Sequence, residues 1–212
     1  MERISNYEIT KRRVQREFLK YDQEKMIRKF ALKADEDYLY IKFIGHCYRI
    51  ERKTGYLEWS EDDFLICTEG NFNEVLTIYD LLCDSQENCQ AAGEYINLSS
   101  LSVLQSSGKK LGDGLFGDRC RVFDHKEELF CRVCEKLGGK KAGKGDVAYE
   151  LPMFEFLPCR IQFWNSDEEF DAQLQIFLDK NILRFIRYET VWYAVGHLMK
   201  RLTEELEGGR NI

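Results

Sequence analysis

Hydrophobic and polar positions along this chain alternate with two periods, and the switches between them mark its elements. Over residues 7 to 32, Val14, Phe18 and Tyr21 fall at helical spacing, and Met26, Ile27 and Phe30 do so again. This predicts two helices broken near Asp22, which is placed to cap the second. The period then drops to two. Leu39, Ile41 and Phe43 alternate with Tyr40 and Lys42, and beyond Gly45 the apolar phase moves to Tyr48 and Ile50. That phase change predicts a hairpin with a tight Gly45-His46 turn, or a bulge. Lys53-Thr54-Gly55 reads as a second turn, leading into a strand from Tyr56 to Trp59.

A helix is predicted over Asn71 to Asp84, with Phe72, Val75, Leu76, Tyr79 and Leu82 on one face and Asn71 and Glu74 at capping-box spacing. A short strand at Tyr95 to Leu98 and a loop rich in Gly and Lys at Gly108 to Gly117 follow. The next helix is expected to start at Asp124, with Glu127 as its reciprocal cap, and to stop at Gly138-Gly139. Its apolar face would be Leu129, Phe130, Val133 and Leu137. Three strands, 147–155, 159–165 and 173–178, precede a last amphipathic helix over 188 to 207, and no internal repeat is visible.

The order predicts an α+β fold: a mostly antiparallel sheet with an N-terminal hairpin and a meander in the C-terminal half, packed by about five helices. The links between neighbouring strands are too short for parallel crossovers, which take about a dozen residues. The expected organisation is a single α+β domain over 1–212, with 1–33 as a helical segment packing on it.

Composition narrows the partners. With 44% hydrophobic residues, 14 Phe, 11 Tyr and 3 Trp, the chain can bury a sizeable core, and only 2 Pro argue against linkers. A net charge of -6 disfavours nonspecific binding to nucleic acid or an anionic membrane. The N-terminus has no apolar signal-like run, and no segment approaches the roughly 20 apolar residues that span a bilayer. A cytoplasmic protein with no nucleic-acid or membrane partner is expected, its 8 Cys kept as thiols.

Candidate chemistry concentrates between Gly145 and Asn181. If the three strands form an antiparallel meander, the start of the first returns to the end where the second and third are joined. Asp146 and the Asp167-Glu168-Glu169 turn then share one rim, while Asp179 leaves at the opposite end, roughly 20 Å away at 3.3 Å per residue. Lys140, Lys141 and Lys144 reach the same edge. Asp146, Asp167 and Glu169 could hold a hard cation through oxygen, or act as a general acid and base. The alternative is structural: Ser166 and Glu169 have capping-box spacing and would start a helical turn. Trp164 shares a strand face with Arg160 and Gln162, opposite Cys159, Ile161 and Phe163. It would roof a pocket beside Gln173 and Gln175, or pack beneath a helix.

Other motifs carry less. Cys131-x-x-Cys134 lacks the second ligand pair of a zinc site and lies within a predicted helix, so both thiols read as structural. Gly138-x-x-x-x-Gly143-Lys144 is followed by Gly145 and has its helix before it rather than after, unlike a phosphate-binding loop. His46 reads as a turn residue, His125 as first-turn helical and His197 as lying beside an apolar stripe, with no local partner for catalysis. No nucleotide-binding motif and no complete iron-sulfur or zinc motif is present.

Several of these stretches together resemble one family. Leu137-Gly138-Gly139, Gly145-Asp146-Val147-Ala148, Leu157-Pro158, Phe163-Trp164, Asp167-Glu168-Glu169-Phe170 and Phe177-Leu178-Asp179 carry the likeness. Phe43-Ile44-Gly45 with Tyr48-Arg49-Ile50 adds a strand-Gly-strand element upstream. The chain resembles the uncharacterised prokaryotic family called domain of unknown function three-seven-eight-six, from about Asp22 to the last helix. Some relatives carry a cysteine-rich iron-sulfur segment at the N-terminus; here the first cysteine is Cys47. The resemblance implies a fold family and no reaction. The expected function is a non-enzymatic binding module for a small polar or metal-containing ligand at the acidic edge, with Asp146, Trp164, Asp167, Glu168 and Glu169 as candidate contacts. The alternatives are a metal-dependent hydrolase using the same carboxylates and a protein-protein adaptor.

Overall fold

A computed structural model describes residues 5–102 and 120–208. The Gly108–Gly117 loop lies outside them. The α+β organisation is as the patterning predicts, with every described strand pair antiparallel. The strands divide between two five-stranded sheets, and the chain forms two compact units.

The first unit comprises residues 1–90 and 181–198. It opens with helices α1 (Asn6–Phe18) and α2 (Gln23–Phe30), separated where expected. The Asp22 carboxylate accepts the Lys25 amide and caps α2. Strands β1 (Lys33–Ala34), β2 (Tyr38–Phe43), β3 (His46–Glu51), β4 (Leu57–Ser60) and β5 (Thr68–Glu69) then pair in sequence order. The β2–β3 turn is Ile44-Gly45, with φ of 43° and 82°, one residue earlier than the phase change suggested. His46 is therefore not a turn residue: it is buried in β3, stacked on Trp59 at 3.7 Å. Helix α3 (Phe72–Asp84) starts with the capping box that Asn71 and Glu74 predict.

The second unit comprises 91–180 and 199–212. Its sheet runs β6-β10-β9-β8-β7, built from β6 (Tyr95–Asn97), β7 (Lys140–Lys141), β8 (Val147–Phe154), β9 (Leu157–Trp164) and β10 (Gln173–Asp179). Short helix α4 (Leu98–Ser102) follows β6, and α5 (Glu127–Lys136) precedes β7. The last elements are α6 (Ile182–Phe185) and the long α7 (Tyr188–Gly208), which contributes residues to both units. Burial alternates along β9, and along β8 until the register shifts between Pro152 and Phe154, so Val147, Tyr149 and Leu151 share a buried face with Cys159, Ile161 and Phe163. Phe123, Phe130 and Phe163 form an aromatic cluster on that face, with ring centroids 4.1 to 6.3 Å apart.

Both units repeat one order that the sequence hides: a helix, a two-residue edge strand, then a three-strand antiparallel meander with a two-residue first turn. Arg49 on β3 and Arg160 on β9 occupy the same place in it. Each is followed by Ile, pairs with a glutamate of a neighbouring strand (Glu58 at 2.6 Å, Glu150 at 2.9 Å), and sits over a tyrosine, Tyr38 at 4.4 Å or Tyr95 at 3.9 Å.

The Tyr95 cluster has a measurable signature. Burial and the Glu150 carboxylate, which accepts the Tyr95 hydroxyl at 2.8 Å, push the phenol up to about 12. An unfolded tyrosine releases its proton near 10. Between about 10 and 12 the folded chain therefore holds more protons than the unfolded one, so stability falls as pH rises through that window. Denaturation at stepped alkaline pH is expected to show this slope, flattened in Tyr95→Phe; an identical slope in the variant would show that other groups set it.

Candidate functional site

The shared rim exists. Asp146 sits immediately before β8, its amide donating to the Phe163 carbonyl at 2.9 Å, and Val147 pairs with Phe163 as Gln173 pairs with Trp164. The start of β8 and the β9–β10 connection thus meet at one end of the meander. Asp179, six residues along β10, lies at the other end, buried, accepting the Ala92 and Gly93 amides at 3.0 and 2.9 Å.

What organises the rim is Asn165, a residue the candidate set omitted. Its backbone N–H and side-chain amide both donate to Asp146 Oδ2, at 2.8 and 3.2 Å. The same side-chain nitrogen donates to Glu127, and the side-chain oxygen accepts the His125 amide at 2.7 Å. One amide therefore ties the start of β8, the start of α5 and the end of β9 together. Asp124 makes the second tie, accepting the Ser166 amide at 2.8 Å and its hydroxyl at 2.6 Å. These bonds to Ser166 hold the Asp124 carboxyl below its usual range.

Three local expectations change as a result. Helix α5 begins at Glu127 rather than Asp124, because Asp124 and Glu127 are engaged across the rim and Lys126 at the N-cap makes no side-chain cap. His125 is not in a helix: it has φ of 52° between a short 3-10 turn and α5. Ser166 and Glu169 form no capping box and no helical turn follows them, since the Ser166 hydroxyl is held by Asp124. The turn is shaped instead by Asp167, whose carboxylate accepts the Glu169 and Phe170 amides, both at 2.8 Å, while its own N–H donates to the Phe170 carbonyl.

Asp146 and Asp167 are thus each engaged with amide hydrogens at the rim. Asp167, Glu168, Glu169 and Phe170 are all exposed, Phe170 to 61%. Among the described residues, no three His, Cys, Asp or Glu side chains are placed to share one metal ion. Trp164 is half-buried on the expected face with Arg160 and Gln162, and it lies close over Gly145, where an added Cβ would meet its ring at 3.4 Å and the Phe163 carbonyl at 2.7 Å. Gly145, with φ of 126°, is what lets the chain turn beneath the indole into Asp146. Lys140 and Lys141 form β7, opposite Glu150 and Tyr149, and both are exposed.

The two cysteines of the C-x-x-C lie on α5. Cys134 is buried and its thiol pushed far up by burial; Cys131 is half-buried. Gly138 and Gly139 donate their amides to Glu135 and Cys134 carbonyls and end the helix. In the first unit, His197 proves to be fully buried, stacked on Phe43 at 4.9 Å, 3.3 Å from the Tyr48 hydroxyl and 3.4 Å from Glu74. Its partners lie 149 residues away for Tyr48 and on α3 for Glu74, so no local signal announced them.

Residues 22–201 match the family model described as Domain of unknown function (DUF3786), and the chain belongs to that family. No curated protein and no solved structure matches it.

Proposed function

We propose that this DUF3786 member is a cytoplasmic, non-enzymatic interaction module whose acidic turn is read by a basic segment of a protein partner. The carrying observation is Phe170, 61% exposed at the tip of a turn whose shape is fixed from within by Asp167 and from below by Asn165 and Asp124. Glu168, Glu169 and Asp171 flank it in sequence and are exposed, Asp171 lying 3.6 Å from Arg121. An aromatic anchor beside exposed carboxylates suits association: the ring supplies apolar contact at low entropic cost and the charges supply orientation. A net charge of -6 favours a basic protein over nucleic acid as that partner. The cysteines, present as thiols, fit a reducing compartment. No helix among the described residues is long and apolar enough to cross a membrane.

The test is a random peptide library displayed on phage and panned against the full chain at physiological salt. Enriched peptides are expected to carry Lys or Arg beside an apolar residue. A synthetic copy should bind Phe170→Ala roughly tenfold more weakly, taking about 1.4 kcal/mol per decade, and should weaken as salt rises. Peptides without basic residues, or binding untouched by Phe170→Ala, would sink the proposal. Stoichiometric Ca²⁺, Mg²⁺ or Zn²⁺ lost in Asp167→Asn would replace it with a cation site.

A further inference from the structure

A second acidic segment, in the first unit, shares the pattern of the rim: Ser60-Glu61-Asp62-Asp63-Phe64 beside Ser166-Asp167-Glu168-Glu169-Phe170, a serine, three acids and a phenylalanine. It is folded differently. The Ser60 hydroxyl accepts the Asp62 and Phe64 amides, both at 3.1 Å, and the Asp62 carboxylate accepts the Ile66 amide at 2.9 Å. Asp63 and Phe64 both take left-handed backbone, φ 54° and 67°, a conformation unfavourable for two consecutive non-glycine residues. Phe64 turns back onto the sheet, with the Arg49 guanidinium 4.6 Å from its ring and Tyr40 at 5.8 Å. Cys67 accepts from Arg49 at 3.5 Å, and at the other end Glu61 meets His46 at 3.2 Å.

The clamps consume Phe64 and leave its neighbours outside. Leu65 is 85% exposed and Ile66 75%, the two most exposed large hydrophobic side chains among the described residues. Isolated exposed leucines need no explanation; two adjacent aliphatics held out by a strained, five-point-anchored loop do. Their neighbours in sequence are acidic: Glu61 and Asp63 are exposed, while Glu69 pairs with Lys11 at 2.5 Å. From Glu61 to Glu69 the chain reads EDDFLICTE, with four carboxylates and no basic residue.

We infer that the Ser60–Cys67 loop is a docking anchor, inserting Leu65 and Ile66 into an apolar cleft of another protein whose border is lined by Lys and Arg. The charge pattern selects this occupant. A second copy would bring the same carboxylates against these, and an anionic lipid surface would repel them. A rigid loop also loses little conformational entropy on docking. The inference stands apart from the Phe170 turn, whose residues it does not use.

The experiment places a benzophenone amino acid at position 66 of the full chain in its native cell, identifies the cross-linked protein and residues, and then measures affinity between the two purified proteins. The expected partner cross-links within a cleft bordered by Lys and Arg. Its binding should fall about thirtyfold or more in Leu65→Asp/Ile66→Asp, with circular dichroism and thermal midpoint unchanged because both residues are exposed. Glu61→Gln/Asp63→Asn should mainly slow association and lessen its salt dependence. Cross-links only to other copies of this chain, to an acidic or flat surface, or to nothing would overturn the inference. So would co-sedimentation with phosphatidylglycerol vesicles that the double aspartate variant abolishes. Loss of peptide binding by Phe170→Ala with position 66 cross-linking intact would leave this loop standing alone.

Discussion

Replacing Phe163 with alanine is expected to destabilise the second unit by about 3–5 kcal/mol, the range for deleting a fully buried aromatic side chain. Phe163 is fully buried, and Phe130 and Phe123 pack against its ring at 5.5 and 6.3 Å. Val147 and Leu174 lie directly across from it on the two adjoining strands. Removing the ring opens a cavity walled by other rings and strand backbone, which relax little. The effect extends to the rim, because the Phe163 carbonyl accepts the Asp146 amide that fixes where β8 begins. Trp164 is adjacent and reports locally. Urea unfolding followed by Trp164 fluorescence, with Trp59 and Trp192 replaced by phenylalanine in both proteins, should show a lowered midpoint. A change under 1 kcal/mol would mean that the ring cluster does not hold the meander. Phe163→Leu, which refills part of the volume, should recover much of the loss.

Glu74→Ala should cost the first unit a similar amount, about 3–5 kcal/mol, the range for removing one partner of a buried polar pair. The Glu74 carboxylate is buried, and it serves two structures. Oε2 accepts the Asn71 amide at 2.7 Å and Oε1 the Asn71 side-chain amide at 2.7 Å, closing the capping box of α3. Oε1 also lies 3.4 Å from His197 Nδ1, within a chain that continues to the Tyr48 hydroxyl. Alanine removes the cap, worth about 1 kcal/mol by itself, and strips the part-buried Asn71 donors of their acceptor beside the buried His197 ring. Glu74→Gln keeps an acceptor for Asn71 and should lose distinctly less. The check is chemical denaturation of the three proteins; equal stability of Glu74→Ala and the parent would show that the chain from Asn71 to Tyr48 is dispensable.

Much of the secondary structure was readable because its causes are local. The Asp22 cap, the Asn71–Glu74 box, the Gly138-Gly139 stop and the two-residue alternation along β9 each depend on atoms a few residues apart. The rim is a different matter. Asp124 and Ser166 each had a plausible local role as a helix cap. A cap within three residues and a bond to a group 42 residues away use the same carboxylate or hydroxyl. Asn165 is illegible in the sequence for the same reason, since an asparagine in a turn looks alike whether it serves its own backbone or other segments. The repeated serine, three acids and phenylalanine was a signal available in the letters, but the opposite fates of Phe64 and Phe170 were not. Phe64, in the loop after β4, is held by Arg49 of β3.

The sequence alone determined the longer helices and strands, the antiparallel sense of neighbouring strands and the meeting of Asp146 with the acidic turn. Periodicity and connection length fix those through short-range sterics and the pleat. Tertiary structure alone decided that the strands form two sheets, that Asn165 ties Asp146 and Glu127 into the rim, and that Leu65, Ile66 and Phe170 stay outside. A polar or apolar side chain is chemically the same in every candidate fold; its partner and its exposure exist only once distant segments have been brought together.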